Sequence, residues 1–176
     1  LSDAACFSLY PSKTLGSLGN AGIVTTNSRR IMKQITMFAH HGIQDMKNKY
    51  RHSVSGYNEL IDNIQAAALL IKMPTLPQRI SQKLAIAQQY NQFFQQIGHP
   101  GMIWPKYIRP SLYVYAVQIK QRARFQQWLA KHQIDSGIYY PIPLHLQPSF
   151  KNLNYKKGSF PIVEKFAQQT ISLPLY

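Results

Sequence analysis

Phe7-Ser8-Leu9-Tyr10-Pro11-Ser12-Lys13-Thr14-Leu15-Gly16 is the stretch from which the rest of this chain can be understood. Ala4 to Leu9 forms a short apolar run that stops at Tyr10-Pro11-Ser12, which predicts a buried strand entering a loop. Gly16, Gly19 and Gly22 punctuate that loop, and Ala21 to Thr26, rich in β-branched residues, predicts a second strand. Lys13 is therefore expected on a short connection behind a strand, a setting that would hold the base of its side chain.

Outward from this stretch, Asn27-Ser28 suits a helix N-cap, and Ile31, Ile35 and Phe38 follow at helical spacing until Gly42. Residues 43–58 are polar and irregular and predict a long loop. A helix from Asp62 puts Ile64, Ala67, Ala68 and Ile71 on one face. Pro74 and Pro77 interrupt it, because proline lacks a donor and clashes with the preceding turn. A second helical pattern runs through Leu84, Ala87, Tyr90 and Phe94 to about Gly98. This proline-broken stretch is the candidate domain junction. Beyond it, Leu112 to Ile119 alternates as a strand, and Phe125, Trp128 and Leu129 mark an amphipathic helix. Ile138-Tyr139-Tyr140 resumes extended structure, and a last helix from Ile162 to Gln169 precedes Ile171-Ser172-Leu173-Pro174. The pattern is α/β or α+β in two parts.

Composition narrows the function classes. Apolar residues make up 45% and charged residues 15%, a globular balance. No apolar run approaches the roughly 20 residues that span a bilayer, and the opening residues lack a signal-peptide pattern. The single cysteine, Cys6, leaves no internal disulfide and no cysteine-based metal site, which makes a reducing cytoplasmic setting the expectation. The net charge of +14 is spread over short groups such as Arg29-Arg30 and Lys156-Lys157. Without a longer run or a nucleic-acid motif it predicts a solvated basic face, or a field that gathers a diphosphate-bearing substrate.

The lysine stretch, continued by Gly19-Asn20-Ala21-Gly22-Ile23-Val24-Thr25-Thr26, resembles the lysine segment of the DegT-like nucleotide-sugar aminotransferases, which are fold-type I pyridoxal-phosphate enzymes. Further blocks agree in the same order: His41-Gly42, Gly56-Tyr57-Asn58, Gln65-Ala66-Ala67, Tyr140-Pro141-Ile142-Pro143-Leu144-His145 and Ser172-Leu173-Pro174-Leu175-Tyr176. The resemblance implies an α/β fold. Residues 1–78 would be the end of the large pyridoxal-phosphate-binding domain, a mixed sheet with helices, and residues 79–176 a small α+β C-terminal domain. It implies that Lys13 holds the cofactor covalently and shuttles a proton, the work of an amine nucleophile. Ser8 and Asn58 would bind the cofactor phosphate, Asn58 reaching into a partner subunit's site, so that a homodimer shares its active sites. Tyr140, His145 and His41 would lie near the substrate. No metal is implied. The reaction would carry an amino group from an amino acid, glutamate by expectation, to a keto group of a nucleotide-linked sugar, for surface polysaccharide or lipopolysaccharide. Relatives with histidine in place of the lysine are deoxysugar dehydratases, so Lys13 favours amino transfer.

Departures from the family pattern are visible too. Leu60 stands where an arginine is usual, Asn20 where aspartate is common, and Tyr139 where the tyrosine–proline block has its first histidine. The family's N-terminal half, with the partner of the pyridine nitrogen and most of the sheet, has no counterpart in the sequence. A truncated non-catalytic remnant or one subunit of a split enzyme is therefore the competing expectation. A basic nucleic-acid-binding module has only the charge behind it; such a module would bind in a steeply salt-dependent way.

Overall fold

The structure, a computed structural model, describes residues 2–176, which divide into two compact units, one ending at Pro77 and the other spanning Gln78–Tyr176. Helices and strands mix in both. Among the described residues no helix is long and apolar enough to cross a membrane.

In the first unit, β1 (Ala4–Ser8) and β2 (Gly22–Thr26) form an antiparallel hairpin in which Ala4 faces Thr26 and Ser8 faces Gly22. Helix α1 (Arg29–Ala39) starts at Ser28, whose hydroxyl accepts from the Ile31 N–H at 3.3 Å, as the N-cap pattern predicts. It stops where His41 and Gly42 turn left-handed, at φ 54° and 77°. The Gly42 N–H closes the helix end on the Met37 carbonyl at 2.8 Å. A side chain at Gly42 would strike the Val54 carbonyl, so both the dihedral and the close approach demand glycine. Helix α2 (Asn63–Lys72) leads through a single 3-10 turn at Met73–Thr75 into α3 (Leu76–Gln96). Pro74 and Pro77 lie in the opening positions of these elements, where no intrahelical donor is needed, so they are accommodated there.

The second unit packs α3 and α4 (Arg122–Lys131) with α5 (Pro161–Gln169) and a second antiparallel pair, β3 (Tyr115–Gln118) with β4 (Thr170–Leu173). Its core contains Ala87, Phe94, Leu112, Tyr115, Val117, Leu129, Ile171, Leu173 and Leu175. Ala87 and Phe94 come from the helical face that the spacing predicts. Tyr115 is wholly buried, and its hydroxyl donates to Asn91 Oδ1 at 2.5 Å.

Several expectations are corrected. The hairpin is not buried: Phe7 is 52% and Ile23 49% exposed, and Leu9, just past β1, is the buried residue at its end. The run was apolar enough to be covered, but no described layer lies over it. Ile64 and Ile71 of α2 are also exposed, and Leu69 is the buried residue of that helix. The strand expected over Leu112 to Ile119 shortens to four residues because its partner β4 spans only four before Pro174 removes a donor. Ile138-Tyr139-Tyr140 joins no strand; the nearest pairing is the bridge of Gly137 to Ser172, and Pro141 and Pro143 prevent its extension. Residues 43–58 contain a 3-10 turn at Met46–Asn48 and a bridge from Ile43 to His52, so this segment is a tied loop.

Candidate functional site

The turn and neck of the lysine loop are closed by backbone bonds. Tyr10, Pro11, Ser12 and Lys13 make a β-turn closed by the Lys13 N–H on the Tyr10 carbonyl at 2.8 Å, with proline at the position whose φ it presets. Below the turn, the Leu9 N–H donates to the Ala21 carbonyl at 2.9 Å and the Ser17 N–H to the Leu9 carbonyl at 2.8 Å, which closes the neck. The chain passes so near itself that a Cβ on Gly16 would overlap the Pro11 carbonyl. The hydroxyl of Ser17, a buried residue, donates to the Gly19 carbonyl. Lys13 is half-buried on this frame. Ser8, exposed at the end of β1, accepts the Tyr10 N–H through its hydroxyl oxygen at 3.4 Å. The structure thus brings Ser8 and Lys13 onto one segment.

Asn58 and His41 occupy a different segment of the same unit and are tied to each other's strands of loop. His40 bridges Asn58, the His41 N–H donates to the Tyr57 carbonyl at 2.7 Å, and the Glu59 N–H to Ala39 at 2.9 Å. His52 Nδ1 meets the His41 carbonyl at 2.7 Å. The backbone of His41 is therefore anchored on both sides, while its ring and the Asn58 side chain remain on an exposed stretch.

Tyr140 and His145 belong to the second unit. Tyr140 is 74% exposed, with Tyr139 edge-on to it. The His145 side chain is largely buried: Nε2 lies 3.0 Å from Glu164 Oε1, and its ring meets Phe160 edge-on at 4.9 Å. Glu164 also accepts the Gly158 N–H at 2.8 and 2.9 Å through its two oxygens and the Phe160 N–H at 3.3 Å. Burial alone would raise the Glu164 carboxyl. The hydrogen bonds from His145, Gly158 and Phe160 outweigh it and hold the group below the usual carboxylate range.

Sequence reasoning did not single out Glu164, although a carboxylate in the first turn of an apolar helix, in a chain with six acidic residues, is a usable signal. Nor did it assign a role to Gln65 or Lys72. Gln65 Oε1 accepts the Gly19 N–H at 3.0 Å, and Lys72 Nζ donates to the Gly16 carbonyl at 2.7 Å. These bonds span 46 and 56 residues of chain, a separation that local pattern does not report.

Comparison with known proteins adds a further line of evidence. The chain is 35% identical, over its whole length, to a pleiotropic regulatory protein of Geobacillus stearothermophilus, covering 47% of that protein. It is 32% identical over 99% of its length to the dTDP-3-amino-3,4,6-trideoxy-alpha-D-glucose transaminase of Streptomyces venezuelae, covering 45% of it. The crystal structure of NtdA from Bacillus subtilis with bound cofactor PMP superposes with a TM-score of 0.85 at 27% identity, over 99% of this chain and 42% of that one. The chain thus spans about half the length of the curated relatives it matches. The sequence profile of the DegT/DnrJ/EryC1/StrS aminotransferase family matches residues 1–176, and with that match across every described element the chain belongs to this family.

Proposed function

We propose that this chain contributes the lysine half of a pyridoxal-phosphate-dependent aminotransferase that moves an amino group from an amino acid, glutamate in our reading, to a keto group of a nucleotide-linked sugar. Residues 1–78 are the end of the large cofactor-binding domain, and residues 79–176 the small C-terminal domain. The observation that carries the proposal is the Lys13 loop: an amine on a backbone-bonded turn directly behind a strand that ends in a hydroxyl.

The residues present fit a phosphorylated aldehyde. Ser8 Oγ already accepts the Tyr10 N–H, so its own proton is available for a phosphate oxygen. Pyridoxal phosphate, when bound, supplies the electron sink that allows an amino group to leave one carbon and reach another. Lys13 Nζ would hold the cofactor and would serve as the group that takes up and returns a proton during the transfer. Asn58 would donate to the phosphate across a homodimer interface, and Tyr140, His145 and His41 would lie near the sugar nucleotide. The surplus of basic side chains draws in the diphosphate of that substrate. The product feeds surface polysaccharide synthesis in the cytoplasm.

The test is to incubate the chain with pyridoxal phosphate, reduce with borohydride and map the labelled peptides. A pyridoxyl group on Lys13 alone, lost in Lys13→Ala, is the expected result. Label scattered over the other lysines would overturn the assignment.

A further inference from the structure

The Gln65-Ala66-Ala67 block has no part in the chemistry above, yet its first residue touches the lysine loop. Gln65 and Lys72 lie on α2 seven positions apart, two helical turns, and so project from one face. Gln65 Oε1 accepts the Gly19 N–H at 3.0 Å, and Lys72 Nζ donates to the Gly16 carbonyl at 2.7 Å. One side chain supplies an acceptor to the loop and the other a donor, so each satisfies the backbone group it meets.

The orientation of the Gln65 amide is itself fixed. Its Nε2 donates to Asp62 Oδ2 at 3.2 Å, which turns the oxygen toward Gly19. Asp62 occupies the N-cap position of α2 but makes no capping bond with its side chain, leaving its carboxylate to hold the glutamine. The loop leaves little room for side chains at the two positions that these groups meet. A Cβ on Gly19 would sit 3.3 Å from Gln65 Oε1, and Gly16 has no room for a side chain beside the Pro11 carbonyl.

We infer that Gln65 and Lys72 are positioning residues for Lys13: from one face of α2 they pin the Gly16–Gly19 stretch and so fix the register in which the turn presents the Lys13 amine. The inference rests on the reading of Lys13 as the cofactor-bearing lysine for its functional meaning, and on the two long-range bonds for its geometry. The bond from the charged Lys72 donor is of the stronger kind and the Gln65 bond is neutral; together they hold a hairpin loop that little apolar burial supports.

Amide exchange of the whole chain without cofactor, together with the rate of pyridoxyl labelling of Lys13, tests it in Lys72→Met, Lys72→Arg and Gln65→Leu. Lys72→Met is expected to speed exchange about tenfold within residues 13–20. The β1–β2 ladder and α1 should be unchanged, and labelling of Lys13 slower. Lys72→Arg, which keeps a donor, restores both. Gln65→Leu exposes the Gly19 amide by the same route and stands independently should Lys72→Met fold poorly. Unchanged loop exchange, a rise spread evenly over residues 2–77, or loop opening with an unaltered labelling rate would each overturn the inference. Absence of Lys13 label in the parent chain refutes the cofactor reading instead, and leaves the exchange result to judge the clamp.

Discussion

Replacing Asn91 with leucine should cost several times what replacing Tyr115 with phenylalanine costs, although both changes remove polar atoms from one cluster in the second unit. Asn91 Oδ1 accepts from the Tyr115 hydroxyl at 2.5 Å and from the Met102 N–H at 2.9 Å, while Asn91 Nδ2 donates to the Met102 carbonyl at 3.0 Å. In Tyr115→Phe the ring stays packed and Met102 keeps Asn91, so no buried group loses its last partner; the cost is about 0.5–1.5 kcal/mol. In Asn91→Leu the Tyr115 hydroxyl loses its acceptor and the Met102 carbonyl its donor, and Met102 N–H retains only the 3.3 Å contact to Tyr115 Oη. Two buried groups each left with an unmet bond, at roughly 1–3 kcal/mol each, give a loss of about 2–6 kcal/mol. The assay is urea unfolding followed by tryptophan fluorescence, because Trp104 and Trp128, the two tryptophans, both lie in the second unit. A unit of this size loses about 4–8 °C of Tm per kcal/mol, so thermal melts separate the variants clearly. If Asn91→Leu is no more destabilising than Tyr115→Phe, the cluster is replaceable by apolar packing and the reasoning fails.

Three other consequences can be measured. The folded state holds the Glu164 carboxyl below its unfolded range, so its contribution is present above the ordinary carboxylate range and is lost as pH falls through the depressed folded value; urea midpoints should therefore drop on acidification, and Glu164→Gln should flatten that dependence. Tyr90 and Tyr115 are raised, burial being the main cause, so stability of the second unit is full below the ordinary tyrosine range and declines as pH climbs through their folded values; a spectrophotometric titration should show these two phenols ionising last. Gly16→Ala drives a methyl into the Pro11 carbonyl and should cost about 1–3 kcal/mol, read as faster proteolysis between Tyr10 and Gly19.

What the sequence discloses and what it hides follow from the range of the interactions involved. The Ser28 cap, the Gly42 stop and the turn at Tyr10–Lys13 depend on residues a few positions apart, and each was legible. The Ala87 and Phe94 face was legible because helical spacing reports which residues share a side. Burial of β1 does not follow from the sequence because a short apolar run states a preference for cover without stating whether cover is present. Glu164 and Lys72 were passed over because their partners lie on other elements, and a charged residue in a basic chain looks solvated until its contacts are known.

That same contrast bears on how the lysine loop is held. A two-stranded hairpin is marginal by itself, and here β1 and β2 contribute no buried residue, leaving Leu9 at the neck as the nearby apolar anchor. Burial at about 25 cal/mol per Å² cannot be what orders Pro11 to Gly19 when most of the surrounding apolar surface faces solvent. The order must come from directional bonds: the turn, the neck, and the two side chains from α2. Directional bonds fix orientation more sharply than contact area does, which is what the role proposed for the Lys13 amine would require. A loop built this way keeps its geometry through polar satisfaction rather than through buried area. Loss of one such bond should therefore loosen the Lys13 loop without unfolding the helices beside it, the pattern expected of a part shaped for chemistry rather than for stability.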